Sequence, residues 1–168
     1  MAQAETILLA EDNSDDVLII GEAFEKAGFS IPITVVSDGL QAIQYLNGDI
    51  HYADRSRFPT PSLVLLDLNL PRASGFEVLD WIRQRPEWIP LPVIILTNSI
   101  NGSDMKRAYD LGANFFLTKP VKFDDFVETI RQLGDFGLRD PSLSAPGPFI
   151  IPPEQPRGES PTQRFSKG

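Results

Sequence analysis

Four stretches of this sequence set polar, chemistry-bearing residues directly after short apolar runs. They are Glu11-Asp12-Asn13, Asp67-Leu68-Asn69, Thr97-Asn98-Ser99 and Thr118-Lys119-Pro120. If the first two stretches end neighbouring strands, Glu11, Asp12 and Asp67 converge within a few ångströms. Three crowded carboxylates repel strongly, so a cation must neutralise them or their pKa values must rise. With no cysteine and a single histidine in the chain, the oxygen donors favour a hard ion, and Mg²⁺ suits one or two carboxylates with waters and a phosphate oxygen. Lys119 adds a point charge at the same rim. The set suits phosphoryl transfer: Asp67 attacks phosphorus in line, Mg²⁺ and Lys119 offset charge on the equatorial oxygens, and the Thr97 hydroxyl donates to one of them. No GxxxxGK[ST] or GxGxxG cradle occurs, so the phosphate is expected to arrive from another molecule.

The apolar runs Thr6–Ala10, Ile33–Val36, Leu63–Asp67, Val93–Thr97 and Asn114–Leu117 show little alternation. That pattern predicts strands covered on both faces, as in a parallel sheet. Helical spacing lies between them. Asn13 or Ser14 can cap a helix to about Ala27 with Val17, Ile20 and Phe24 inward. Ser74-Gly75-Phe76-Glu77 matches a capping box before Phe76, Leu79 and Ile82. Phe123, Phe126, Val127, Ile130 and Leu133 form a stripe, and weaker helices run about Gly39–Asn47 and Ser103–Leu111. Five strand–helix pairs predict a doubly wound α/β three-layer sandwich, whose functional crevice lies beyond the carboxyl ends of the strands.

The 168 residues carry 23 acidic and 15 basic groups, a formal charge of -8. Two of the acidic and three of the basic groups lie after Asp140, so the acidity belongs to residues 1–140. This balance argues against nucleic acid or an anionic membrane as partner. The missing cysteines exclude a disulfide scaffold, a thiol nucleophile and thiolate metal sites. No run resembles a signal peptide or a membrane span, so a soluble cytoplasmic domain is expected. Seven of 15 prolines fall in the last 28 residues, which reads as a disordered tail over 141–168. The Gly48–Pro61 connection is long for this fold and is expected to be functional or disordered; His51 within it reads as a solvated loop residue.

Taken together, Glu11-Asp12, Asp67 in LVLLDLNLP, Thr97 in VIILTNS and Lys119-Pro120 in ANFFLTKP resemble the receiver domain of bacterial response regulators over Thr6–Asp135. The resemblance implies a flavodoxin-like, five-stranded sheet in the order 2-1-3-4-5 with five helices. It makes Asp67 the phosphoacceptor, taking phosphate from a phosphohistidine on a sensor histidine kinase. Asp12 becomes the main Mg²⁺ carboxylate, with Glu11 acting directly or through water and the Asn69 backbone carbonyl completing the protein ligands; Mn²⁺ or Ca²⁺ can substitute. Thr97 and Lys119 bind the phosphoryl group, and Phe116 takes the aromatic switch position that swings inward as Thr97 moves. The Lys119–Pro120 bond is expected to be cis. Asn69, Asn98 and Ser99 occupy positions that modulate the rates of phosphoryl gain and loss, and Asn98 is bulkier than the family's usual small residue.

No output motif follows Asp140, so a stand-alone receiver is expected, a signalling protein that catalyses only its own phosphotransfer and dephosphorylation. The long Gly48–Pro61 connection, Pro86-Glu87-Trp88-Ile89-Pro90 and LGANFFLTKPVKFDDF look like regulators paired with bacterial phytochromes. That narrower resemblance suggests a bacteriophytochrome kinase as partner and a homodimer paired through Phe136–Pro146. Other readings remain: a receiver that shuttles phosphate to a histidine phosphotransfer protein, an aspartate-nucleophile phosphohydrolase, and a pseudo-receiver used only for docking. Against the hydrolase, Asn69 stands where such enzymes place a general acid, and an amide cannot protonate a leaving group.

Overall fold

A computed structural model of the chain describes residues 6–134. Its elements alternate: β1 (Ile7–Ala10), α1 (Ser14–Lys26), β2 (Ile33–Val36), α2 (Gly39–Asn47), β3 (Leu63–Leu66), α3 (Gly75–Arg83), β4 (Val93–Thr97), α4 (Gly102–Asp110), β5 (Phe115–Thr118) and α5 (Phe123–Leu133). The strands form one parallel sheet in the order β2-β1-β3-β4-β5. The expected doubly wound sandwich is therefore present, with its order reversing between β1 and β3. The expected tail over 141–168 and the Phe136–Pro146 pairing segment lie outside the described residues.

Each strand feeds two cores because its side chains alternate across the sheet. Leu8 and Ala10 of β1, with Val64 and Leu66 of β3, face a core closed by Ala42 and Leu46 of α2, Val78, Leu79 and Ile82 of α3, and Ala108 of α4. Ile7, Leu9, Leu63 and Leu65 face the other core, closed by Ile20, Ala23 and Phe24 of α1 and by Phe126, Val127, Ile130 and Leu133 of α5. Helix starts follow local rules. Asn13 accepts from the N–H groups of Asp15 and Asp16, Asp38 from Gln41, and Asn101 from Ser103, while Ser74 and Glu77 form the expected capping box.

Two arginines organise what the hydrophobic pattern leaves open. The connection over residues 48–61 is a packed cap, not a free loop. Tyr45, Tyr52 and Phe58 stack with ring centroids 5.1–6.1 Å apart, and Arg55 donates to the Tyr45 and Leu46 carbonyls at 2.9 Å. Those carbonyls belong to the last turn of α2, where orphan acceptors need partners. The Tyr45 hydroxyl closes the cap by donating to the Pro59 carbonyl at 2.8 Å. His51 is exposed, as expected.

Arg83, the last residue of α3, does comparable work before β4. Its guanidinium donates to the carbonyls of Trp88, Ile89, Leu91 and Gly112 and to Asn114 Oδ1, at 2.8–3.2 Å. Asn114 Oδ1 also accepts from the Val93 N–H at 2.8 Å. β5 begins at Phe115, one residue after the expected Asn114, whose own N–H still donates to the Val93 carbonyl at 2.9 Å. Arg83→Ala strands these acceptors, so unfolding free energy should fall by about 3 kcal/mol, as for loss of a part-buried charged network. Urea denaturation at neutral pH measures it. Arg83→Lys should recover less than half of the loss, because a single ammonium cannot span the fork's acceptors.

Candidate functional site

β1 and β3 run side by side in register, Ala10 opposite Leu66, so the residues that follow them emerge together at the carboxyl edge of the sheet. Glu11 and Asp67 are pinned there through their backbones: Glu11 N–H donates to the Val36 carbonyl at 3.0 Å and Asp67 N–H to the Ala10 carbonyl at 3.1 Å. One carboxylate oxygen each from Glu11, Asp12 and Asp67 lies within 4.8 Å of the others. Glu11 and Asp67 are buried and Asp12 is exposed, so the trio opens to solvent on the Asp12 side. Their all-oxygen donor set fits a hard divalent cation.

Lys119 follows β5 and reaches across the β4 end to this cluster. Its ammonium bonds Glu11 Oε2 at 2.5 Å, Asp16 Oδ2 at 2.8 Å and Asp67 Oδ2 at 3.1 Å. The remaining oxygens are also engaged: Asn13 N–H donates to Glu11 Oε1 at 3.2 Å and Asn69 N–H to Asp67 Oδ1 at 3.1 Å. Burial pushes the Glu11 carboxyl above its usual range and the charge of Asp67 adds to the rise, while Lys119 and the Asn13 N–H oppose it. For Lys119, burial works against the charge, but hydrogen bonds to Asp16 and Glu11 and the field of Asp67 hold the ammonium above its usual pKa. Three carboxylates thus share one lysine and Asp12 lies beside them, a local excess of negative charge.

The expected phosphoryl-binding residues border the cluster. Thr97 is fully buried, and its Oγ1 accepts from the Ser99 N–H at 3.3 Å; its carbonyl accepts from the Lys119 N–H at 2.7 Å. Phe116 is buried among the α2–α3–α4 core, and its N–H donates to the Tyr109 hydroxyl at 3.0 Å. Asn69 and Asn98 are exposed. The Ser99 hydroxyl does not face the cluster's oxygens but donates to Asp104 of α4 at 2.7 Å.

The expected cis Lys119–Pro120 bond is corrected: among the described residues no peptide is cis. Trans is the intrinsically favoured X–Pro isomer, and in it Lys119 still makes all three ion pairs.

Two site residues escaped the sequence reading. Asp16 sits in the first turn of α1, where side chains point back toward the helix start. It looked like an ordinary acidic residue at a helix N-terminus. Gly75 opens α3 against the Asp67 backbone: a Cβ there would lie 2.2 Å from the Asp67 carbonyl oxygen. Only the glycine's place at the first helical position hinted at that approach.

The model of the response regulator receiver domain family matches residues 7–131, and the chain belongs to that family. It is 37% identical over 132 residues to the probable methanogenesis regulatory protein FilR2 of Methanothrix harundinacea, covering 79% of this chain and 83% of that protein. With response regulator Rcp1 of Synechocystis it shares 34% over 141 residues, 84% of this chain and 94% of Rcp1. Among solved structures, response regulator RPA3017 in red light signaling of R. palustris superposes with a TM-score of 0.76 at 41% identity, covering 80% of this chain and 94% of that one. The bacteriophytochrome response regulator RtBRR gives 0.67 at 38%, covering 85% and 84%. The Mn²⁺-bound form of Rcp1 gives 0.69 at 34%, covering 78% and 92%.

The raised Glu11 pKa fixes a sign. A carboxyl that titrates higher when folded costs nothing below its unfolded value, near the reference 4.5, and weakens folding as pH rises through its folded value. Glu11→Gln removes that cost. In chelator, its urea midpoint relative to that of the parent should rise as pH goes from 4.5 toward 7.

Proposed function

We propose that this receiver accepts a phosphoryl group on Asp67 from a phosphohistidine of a sensor kinase and thereby switches what it binds. The observation that carries the reading is the Lys119 ammonium joined to both Glu11 and Asp67 at the open edge of the sheet. A nucleophilic carboxylate needs a fixed cation beside it to receive a dianionic group, and here one is built in.

In the proposed reaction an Asp67 carboxylate oxygen forms the new bond to phosphorus. The P–N bond of the donor breaks, and its electron pair stays on the ring nitrogen while the ring takes up a proton. The Asn69 N–H holds the other end of the Asp67 carboxylate, fixing its plane. Lys119 faces the charge that builds on the phosphoryl oxygens, and Thr97, linked to Lys119 through its carbonyl, brings its hydroxyl to the same group. Glu11, Asp12 and Asp67, with the Asn69 carbonyl, would hold the divalent cation. A bound Mg²⁺ would supply Lewis-acid neutralisation of phosphoryl charge, and the Mn²⁺-bound form of Rcp1 supports a divalent ion in such a regulator. Asn69, Asn98 and Ser99 are assigned to tuning the rates of gain and loss, since all three follow the strand ends that carry Asp67 and Thr97.

The likeness to RPA3017 and to the bacteriophytochrome regulator RtBRR supports a light-sensing bacteriophytochrome as the kinase; a cytoplasmic setting and a homodimer of the receiver are part of the same proposal. Onward transfer to a histidine phosphotransfer protein uses the same chemistry. Steady phosphomonoester hydrolysis is disfavoured because the exposed Asn69 side chain offers no acid. Incubated with Mg²⁺ and acetyl phosphate, the full chain should gain the mass of one phosphoryl group. Asp67→Asn or chelator should abolish the gain, and an undiminished gain in Asp67→Asn would overturn the assignment.

A further inference from the structure

Asp16 has no part in the reaction just described, yet it makes one of the three bonds to Lys119. Its Oδ2 lies 2.8 Å from the ammonium, and its side chain is 28% exposed against 2% for Glu11. A lysine ammonium has three donors, and Glu11, Asp16 and Asp67 take all three. These acceptors are not equivalent. Glu11 and Asp67 belong to the carboxylate trio whose oxygens lie within 4.8 Å of one another, and Asp16 does not.

That asymmetry matters once a divalent cation is present, a step that rests on the function proposed above. A cation on Glu11, Asp12 and Asp67 draws on the same carboxylates that hold two of the three lysine protons, and its own charge repels the ammonium. Without another partner, Lys119 would be driven from the site at the moment a phosphoryl group needs it. Asp16 is placed to prevent this. Its backbone is fixed because the Asn13 side chain accepts from the Asp15 and Asp16 N–H groups at 2.9 and 3.1 Å. It stands in the first turn of α1, beyond the residues that carry Asp12.

We propose that Asp16 is a positioning residue that keeps Lys119 beside Asp67 when a divalent cation occupies the carboxylate trio. Glu11 and Asp67 suffice as partners without the cation; with it, Asp16 becomes the lysine's fixed counter-charge.

The test uses the full chain and measures acylation of Lys119 by an amine-reactive ester, read by mass spectrometry of the peptide, with chelator and with saturating Mg²⁺. Calorimetry with Mg²⁺ runs beside it. The parent chain should keep Lys119 protected in both conditions. In Asp16→Ala, and in Asp16→Asn, which preserves side-chain shape, protection should persist in chelator. It should drop about tenfold in Mg²⁺, the factor that loss of one charge-assisted hydrogen bond carries. Asp16→Glu should restore protection. Equal labelling of the parent and both variants in Mg²⁺, with Mg²⁺ binding intact by calorimetry, would overturn the role of Asp16 alone. Absence of Mg²⁺ binding in the parent would overturn the metal reading and this inference with it.

Discussion

A single ammonium group ties the carboxyl edge of this sheet together. Lys119 arrives from β5 and reaches carboxylates that follow β1 and β3 and one on the first turn of α1. Without it, Glu11 and Asp67 would be two buried acids with no positive charge beside them, a costly arrangement in a low-dielectric setting. Topology makes the meeting unavoidable. The order β2-β1-β3-β4-β5 sends the connection after β1 to one face and that after β3 to the other, so a crevice opens between them. The acids line that crevice because each directly follows its strand, and the lysine spans the end of β4 to enter it.

Most of this was legible in the sequence because it rests on local rules. Unalternating Val, Ile and Leu runs mark strands covered on both faces, and Asn13 and Ser74 cap their helices by contacts three residues long or less. Glu11, Asp12, Asp67, Thr97 and Lys119 could be grouped because all of them follow, or end, a strand. The misses are long-range. Nothing in the spacing of Arg83 or Arg55 states that Arg83 will gather carbonyls ahead of β4 or that Arg55 will hold those at the end of α2, and so the cap over residues 48–61 was read as a loop. Asp16 was hidden for a related reason: an acid in a first helical turn already has an adequate local explanation in the helix dipole, which left its bond to Lys119 unanticipated.

Rigidity at the site contrasts with the helix beside it. Gly75 lets α3 press against the Asp67 backbone, and Glu11 and Asp67 are held by strand-end hydrogen bonds as well as by Lys119. By comparison α4 buries only Ala108 fully, so packing anchors it weakly and polar contacts define its place. At one end the Ser99 hydroxyl bonds Asp104, and at the other the Tyr109 hydroxyl accepts from the Phe116 N–H. That second bond also satisfies a donor of β5, the strand at the sheet's edge, which would otherwise face outward unpaired.

These contacts form a continuous physical route from charge to shape. The Lys119 N–H is bonded to the Thr97 carbonyl, the Thr97 hydroxyl oxygen accepts from Ser99, and Ser99 holds the first turn of α4. On the proposed function, a Thr97 hydroxyl that donates to a phosphoryl group while accepting from the Ser99 N–H ties Ser99 to the state of Asp67. The hydroxyl of the same Ser99 holds α4, the helix with the fewest buried side chains to resist displacement. Phe116, already packed inward, leaves the Tyr109 bond as the other fixed point. On that reading a change at Asp67 bears on α4 before the sheet or α3, because α3 buries Gly75, Val78, Leu79 and Ile82 whereas α4 buries Ala108 alone.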